Sequence, residues 1–182
     1  MTGEINSEEI VKQARRILIK FAKRLDGRLI PRDDNQAYLW RGYLSGDDSD
    51  VEYSGFLHRF LSSDQIGEKH CHPWSESVSI ILLGAYREFS CEGTDAPDGK
   101  KILSPQVTRD FFPGHKNLIK ANTFHRVELL TPEVWTLFIH GSRVQPWGFV
   151  KEGIYDHPLD IRIVQGKRSK NLPKVAVEEV VE

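Results

Sequence analysis

Cysteine is scarce in this chain: Cys71 and Cys91 are the only two among 182 residues. Two are too few for a disulfide framework or a thiolate zinc site, so the expected compartment is the reducing cytosol. An excess charge of either sign is also missing, since 25 Lys and Arg face 26 Asp and Glu for a formal net charge of −1. Nothing global therefore draws the chain to a phosphate backbone or an anionic membrane, and neither nucleic acid nor membrane is an expected partner. No apolar run approaches the length of a membrane span, and charges are scattered through residues 1–25, where a signal peptide needs an unbroken apolar core.

What is present is ordinary globular composition, with 39% hydrophobic, 28% charged and 10% aromatic residues. The length suits one domain with a terminal appendage. Ser7 followed by Glu8 and Glu9 predicts a helix N-terminus, and Ile10, Ala14, Ile17, Leu18, Phe21 and Leu25 recur at helical spacing until Gly27. Its other face carries Lys12, Arg15, Arg16, Lys20, Lys23 and Arg24 and reads as solvated. Beyond residue 36 the pattern becomes short aromatic and β-branched runs between Gly, Pro, Asp, Asn and Ser clusters, with candidate strands at Ala37–Leu44, Gly55–Leu61, Val78–Leu83, Tyr86–Phe89, Asn117–Lys120, His125–Leu129, Val134–His140 and Trp147–Val150. No helices alternate with these strands, so the expected fold is all-β, an antiparallel sandwich or barrel preceded by one α-helix. We divide the chain into a helix and linker over 1–35, a barrel over 36–165 and a tail over 166–182. The polar stretch Ser90–Gln106, with Gly93, Pro97, Gly99 and Pro105, reads as a binding loop or lid.

Three histidines stand out: His70 and His72 in KHCHPW, and His125 in TFHRVEL. Residues two apart on a strand project to one face, so an H-x-H pair offers two imidazoles to one ion and a third from a neighbouring strand completes a facial set. The pair precedes Pro73 and then an apolar strand closed by Gly84, while His125 opens another strand after Asn122, a residue type that tolerates a tight turn.

Residues 70–84 resemble the first motif of the cupin superfamily, in which H-x-H is followed at fixed spacing by a glutamate and a glycine. Here Ser77 stands in the glutamate slot and the acid, Glu76, is one position early. The second motif's spacing is met by Gly114, Lys120, Asn122, His125 and Leu129, with identity only at Gly114 and His125. The string LHRF, HCHPW, SIILLGAYRE, FHRVELL, WTLFIHG and WGF looks like a group of small bacterial and phage-borne cupins. The resemblance, which covers about residues 36–150, implies a jelly-roll barrel and a homodimer. Loss of the glutamate is similar to the thiol dioxygenases, cupins in which three histidines alone hold ferrous iron.

Around this set, Glu76 is a possible fourth ligand or a surface acid. Glu88 shares a strand face with Tyr86 and could ligate, act as a base or orient a histidine; if Arg87 and Phe89 face inward instead, it is solvated. Arg59 could hold a substrate carboxylate or phosphate, or be buried in a pair with Asp64 or Glu128, and only one of His58 and Arg59 can line the barrel. Trp74 is placed at the barrel mouth, Ser77 beside a metal-bound water and Tyr86 near the substrate. Cys71, between the two ligand candidates, is turned away and packs. His115 and His157 read as surface residues, and His140 ends a strand. The expected function is a metal-dependent enzyme with one divalent ion, Fe(II) before Zn, Mn or Ni, acting as a dioxygenase on a small, anionic molecule. Alternatives are a metal-dependent isomerase or lyase using Glu88 or Glu76 as base, and a non-catalytic ligand-binding barrel.

Overall fold

The computed structural model describes residues 7–32, 36–44, 54–95 and 101–151, together with the backbone of 162–163. Helix α1 spans Ser7–Ala22, with Glu8 and Glu9 in its first turn and Lys20 in its last, matching the helix dipole at both ends. Thirteen strands follow among the described residues: β1 Gly27–Pro31, β2 Ala37–Tyr43, β3 Ser54–Phe60, β4 Glu68–His70, β5 Glu76–Leu83, β6 Tyr86–Asp95, β7 Lys101–Leu103, β8 Val107–Phe111, β9 Lys116–Lys120, β10 Thr123–Leu129, β11 Val134–His140, β12 Gly148–Lys151 and β13 Arg162–Ile163. Every pairing is antiparallel.

The strands form two sheets, one in the order β1-β2-β3-β11-β5-β9 and the other β13-β12-β4-β10-β6-β7, with β8 also paired to β6. Late strands insert between early ones, β11 between β3 and β5 and β10 between β4 and β6. The sheets curl toward each other as an antiparallel jelly roll, the all-β barrel with an N-terminal helix that the sequence implies. Gly84 turns the chain from β5 into β6 at φ +77°, where an added Cβ would lie 2.2 Å from the Glu133 carbonyl oxygen. Only glycine fits both the dihedral and the space.

Two separate apolar clusters lie on the two faces of the first sheet. Outside, Trp40, Leu57, Leu83 and Trp135 pack under Ala22, with Ala14, Leu18, Ile19, Leu25 and Leu29 around them. Inside, Ile81, Tyr86, Phe111, Val127 and Val134 fill one end of the barrel. Ile81 and Leu83 point to different clusters although alternation puts them on one face, because the register shifts by one residue where Leu83 pairs with Trp135 and Ile81 with Thr136.

Several expectations change. The helix stops at Ala22 rather than near Leu25, and the segment assigned as a linker contains β1, whose Gly27 lets the Trp40 ring approach to 2.5 Å of where a Cβ would stand. Ile10, Ile17 and Phe21 remain 52%, 66% and 46% exposed. The helix is apolar over a wider arc than the barrel covers, and its contact face runs through Ala14, Leu18 and Ala22 instead. The stretch read as a loop from Ser90 is strand as far as Asp95, hairpinned onto β7, because Cys91 packs on Phe124 and Gly93 leaves room for that ring. The tail over 166–182 and His157 lie outside the described residues.

Candidate metal centre

β4 ends at His70, whose backbone pairs with His125 on β10 on one side and with Phe149 on β12 on the other. The sheet thus delivers His70 and His125 side by side, and His72 follows two residues later on the same face. One ring nitrogen from each of the three lies within 4.8 Å of the others. The rings stand 4.6 to 5.2 Å apart between centroids. His72 Nε2 and His125 Nε2 are 2.9 Å apart, about the separation of adjacent ligands on an ion with metal–nitrogen bonds near 2.1 Å. Three imidazoles suit a divalent first-row ion and leave positions free for small molecules.

A carboxylate lies behind each of two ligand candidates, hydrogen-bonded to one and 3.9 Å from the other. His125 Nδ1 donates to Glu88 Oε1 at 2.6 Å, and the same oxygen accepts from Asn117 Nδ2 at 2.7 Å. This fixes the His125 tautomer and aims Nε2 into the cluster. Asn117 also reaches the Tyr86 hydroxyl at 3.2 Å, so β6 and β9 are joined across the barrel. His70 turns Nδ1 toward Asp64 Oδ2 at 3.9 Å. Asp64 is itself anchored by the Val127 amide, which donates at 2.6 Å, and by the Tyr38 hydroxyl.

Burial governs the electrostatics. It pushes His70 down to about 4, with the neighbouring His125 adding to the shift against Asp64 and Glu88, and it pushes His72 well below the ordinary imidazole value in company with His125 and His70. Both rings are held neutral, the form that binds metal. For Glu88 burial works upward, but the hydrogen bond and charge of His125, with help from Asn117 and Arg109, outweigh it and the carboxyl stays ionised below its usual range. Burial raises the Tyr86 hydroxyl, which remains a neutral hydrogen-bonding group.

The other sequence candidates separate. Glu88 faces inward, already engaged by His125 and Asn117, and so is a positioning group rather than a free base. Tyr86 is buried in the apolar end of the barrel, one hydrogen bond beyond Asn117 in that network. Trp74 lies at the half-buried end, stacked on His140 at 4.1 Å and on His72 at 5.4 Å between centroids. Ser77 is buried on the inner face of β5, with Oγ 3.4 Å from the Ile119 carbonyl. Glu76 does not join the cluster: alternation along β5 carries it to the exposed face opposite Ser77. Arg59 does not reach the site either. It pairs with Glu133, not Asp64 or Glu128, at 2.6 Å, and Arg15 of α1 meets the other oxygen of the same carboxylate at 2.5 Å. His58 takes the inner face instead, 5.2 Å from the Phe138 ring, which in turn is 5.4 Å from His72. Cys71 packs outside with Cys91, Phe124 and Val150.

Sequence reasoning missed Asp64, Asn117 and Arg41. The signal for Asn117 was its place two residues before Ile119 on an alternating strand; Arg41 sits in AYLWRGY, where both faces carry aromatics and neither is marked as inner.

Fold and site together define a jelly roll of the cupin type with a three-histidine group suited to a divalent ion. No protein-family model matches the chain. No curated protein matches it either. Solved structures with distant likeness include hydroxypropylphosphonic acid epoxidase from S. wedmorenis, 9% identical over 63% of this chain and 55% of that one at a TM-score of 0.45. A cupin domain from Schizosaccharomyces pombe is 11% identical over 57% of this chain and 61% of that one, at a TM-score of 0.40. Oxalate decarboxylase from Lactobacillus farciminis, as a formate complex, is 12% identical over 66% and 31% of the two chains, at 0.44. The chain spans little more than half the length of the epoxidase it matches. The functional reading therefore rests on this site's own geometry. No described helix is long and apolar enough to cross a membrane.

Proposed function

We propose that the chain is a metal-dependent enzyme in which His70, His72 and His125 hold one divalent ion, Fe(II) before Zn, Mn or Ni, and that it acts as a mononuclear non-haem dioxygenase on a small molecule. The observation that carries this reading is the convergence of three imidazole nitrogens within 4.8 Å with no carboxylate among them. A neutral ligand set leaves the ion its full charge and open positions for dioxygen and substrate. The residues of the chain supply the rest: Glu88 orients His125, Asp64 lies behind His70, burial keeps His70 and His72 neutral, and Phe138 and Trp74 wall the ligand cluster. Glu88 is committed to His125 and Asn117, and Glu76 faces out, so neither carboxylate is free to act as the base of the isomerase or lyase alternative. The homodimer and the cytosolic location remain part of this proposal.

Metal analysis of protein purified without chelator or nickel resin tests the reading. Near-stoichiometric iron is expected, lost in His72→Ala while the far-ultraviolet circular dichroism of the barrel is kept. Retention of metal by His72→Ala overturns the ligand assignment, and zinc as the resident ion together with turnover that needs no dioxygen overturns the dioxygenase.

A further inference from the structure

Three arginines of the barrel face a carboxylate. Arg59 has Glu133 at 2.6 Å, Arg87 has Asp110 at 2.7 and 2.9 Å, and Arg126 has Glu128 at 3.7 Å. Arg41 is different. It lies half-buried on β2 at the histidine-rich end of the barrel, and no carboxylate partners it among the described residues. Its Nε donates to His58 Nε2 at 3.0 Å, and among the described residues its two terminal nitrogens meet no acceptor. Its flat face lies 4.7 Å from the centroid of Phe56. Burial leads in pulling its pKa down, the like-charged Arg28 adds to the shift, and the tyrosines Tyr43 and Tyr38 work against it. A guanidinium cannot escape the cost of lost hydration by deprotonating, so an uncompensated one is retained at a price in stability.

The surroundings are aromatic. Phe56 is 5.1 Å from His140 and 6.2 Å from Trp74, between centroids, and Phe138 connects His58 to His72. His140 uses Nδ1 toward the Gly141 carbonyl, which turns its Nε2 edge away from its own backbone. Arg41 bears electrostatically on His58, His72 and His140 alike. The end of the barrel that holds the ligand cluster thus also holds a cation with no carboxylate partner among the described residues, and a run of aromatic rings leads from one to the other.

We propose that Arg41 is the anchor of a substrate subsite for the carboxylate of a small organic acid, held two-point by its terminal nitrogens, with the hydrocarbon body of the acid along Phe56, Trp74 and Phe138 toward the histidine cluster. One guanidinium among neutral imidazoles balances a monoanion; a phosphate or phosphonate dianion would be left half-neutralised. The proposal rests on the enzyme reading above for the direction in which the body points, but the anion site itself needs no metal.

Titration of the metal-free full chain with benzoate, followed by tryptophan fluorescence because Trp74 lies in the wall, tests it. Benzoate is expected to saturate the signal, with benzamide and methylphosphonate each at least tenfold weaker, and Arg41→Gln should weaken benzoate at least tenfold while Arg59→Gln leaves it unchanged. Arg41→Lys, which keeps charge and bulk, should retain folding and lose the greater part of the affinity. Equal benzoate affinity in wild type, Arg41→Gln and Arg41→Lys overturns the subsite, and methylphosphonate binding as well as benzoate overturns the monoanion assignment. Metal content of Arg41→Gln, expected to equal wild type, separates the two proposals: an absence of metal in every form with benzoate binding intact would sink the enzyme reading alone.

Discussion

The two ends of the barrel interior are built from the same strands and are chemically opposite. At one end Ile81, Phe111, Val127 and Val134 close a dry plug around Tyr86. At the other, His58, His70, His72, His125 and His140 gather with Phe56, Trp74 and Phe138. β10 contributes Val127 to the first and His125 to the second; β11 contributes Val134 and Phe138; β5 contributes Ile81 and then Ser79 and Ser77. The change of chemistry along each inner face occurs at the Tyr86, Glu88 and Asn117 network. The division lets one end carry stability while the other keeps half-buried polar groups that a core of this size could not absorb alone.

The sharpest way to break the comparison is to cut each end separately. Ile81→Ala should cost about 3 kcal/mol of stability, the usual range for deleting a fully buried aliphatic side chain, while bound metal per folded chain stays unchanged. Urea denaturation and metal analysis together check it; loss of metal at full stability would mean that the ends are not separable. In the opposite sense, Glu88→Gln keeps shape but weakens the acceptor behind His125, and metal affinity should fall about 10- to 100-fold with little change in melting temperature.

The histidine-rich end should also fail first in acid. Burial, then Arg41 and His140, hold His58 well below its ordinary value, and His70 is held at about 4. An unfolded imidazole titrates near about 6.5, so below that pH the unfolded chain gains protons that the folded chain refuses. Stability is therefore full above about pH 6.5 and lost as pH falls toward about 4, with His70 alone worth on the order of 3 kcal/mol over that window. Urea midpoints of metal-free protein at pH 7.5 and pH 5 should show the drop, and His58→Gln should make it smaller. An equal drop in the variant would remove His58 from the account. The smallest effect belongs outside the barrel. Arg15 is 42% exposed in its pair with Glu133, so Arg15→Ala should lower stability by only a few tenths of a kcal/mol, and a larger loss in thermal unfolding would show that the helix is latched rather than simply packed.

Much of this was legible in the sequence, for reasons that can be named. The H-x-H spacing and the strand opened by His125 fix parity at the ligand cluster, whereas the inward turn of Glu88 was one of two parities that the GAYRE segment left open. Arg59 was not legible. The parity of β3 is set by Leu57 and Arg59 packing outward under α1 with Trp40 and Trp135, a tertiary fact with no local trace in FLHRF. Asp64 lies between β3 and β4, in a stretch without periodicity, and acquires its role only through the Val127 amide across the barrel. β4, β7, β8 and β13 are short, two to five residues each, and so give alternation too little length to register.

The insertion of β11 between β3 and β5 bears on how the chain reaches this state. Trp135 pairs with Arg59 on one side and Leu83 on the other, so the first sheet cannot close until residues through His140 are available. During synthesis β3 and β5 wait with open edges, each missing the neighbour that arrives last. Distant pairings of this kind place folding in the slow regime of milliseconds to seconds, because loop closure must precede any reward in burial. The waiting strands, with Leu57, Ile81 and Leu83 not yet covered, are the segments most exposed to pairing with another chain. Expression at low temperature, where synthesis slows and association of partly folded chains weakens, is the condition that this topology favours.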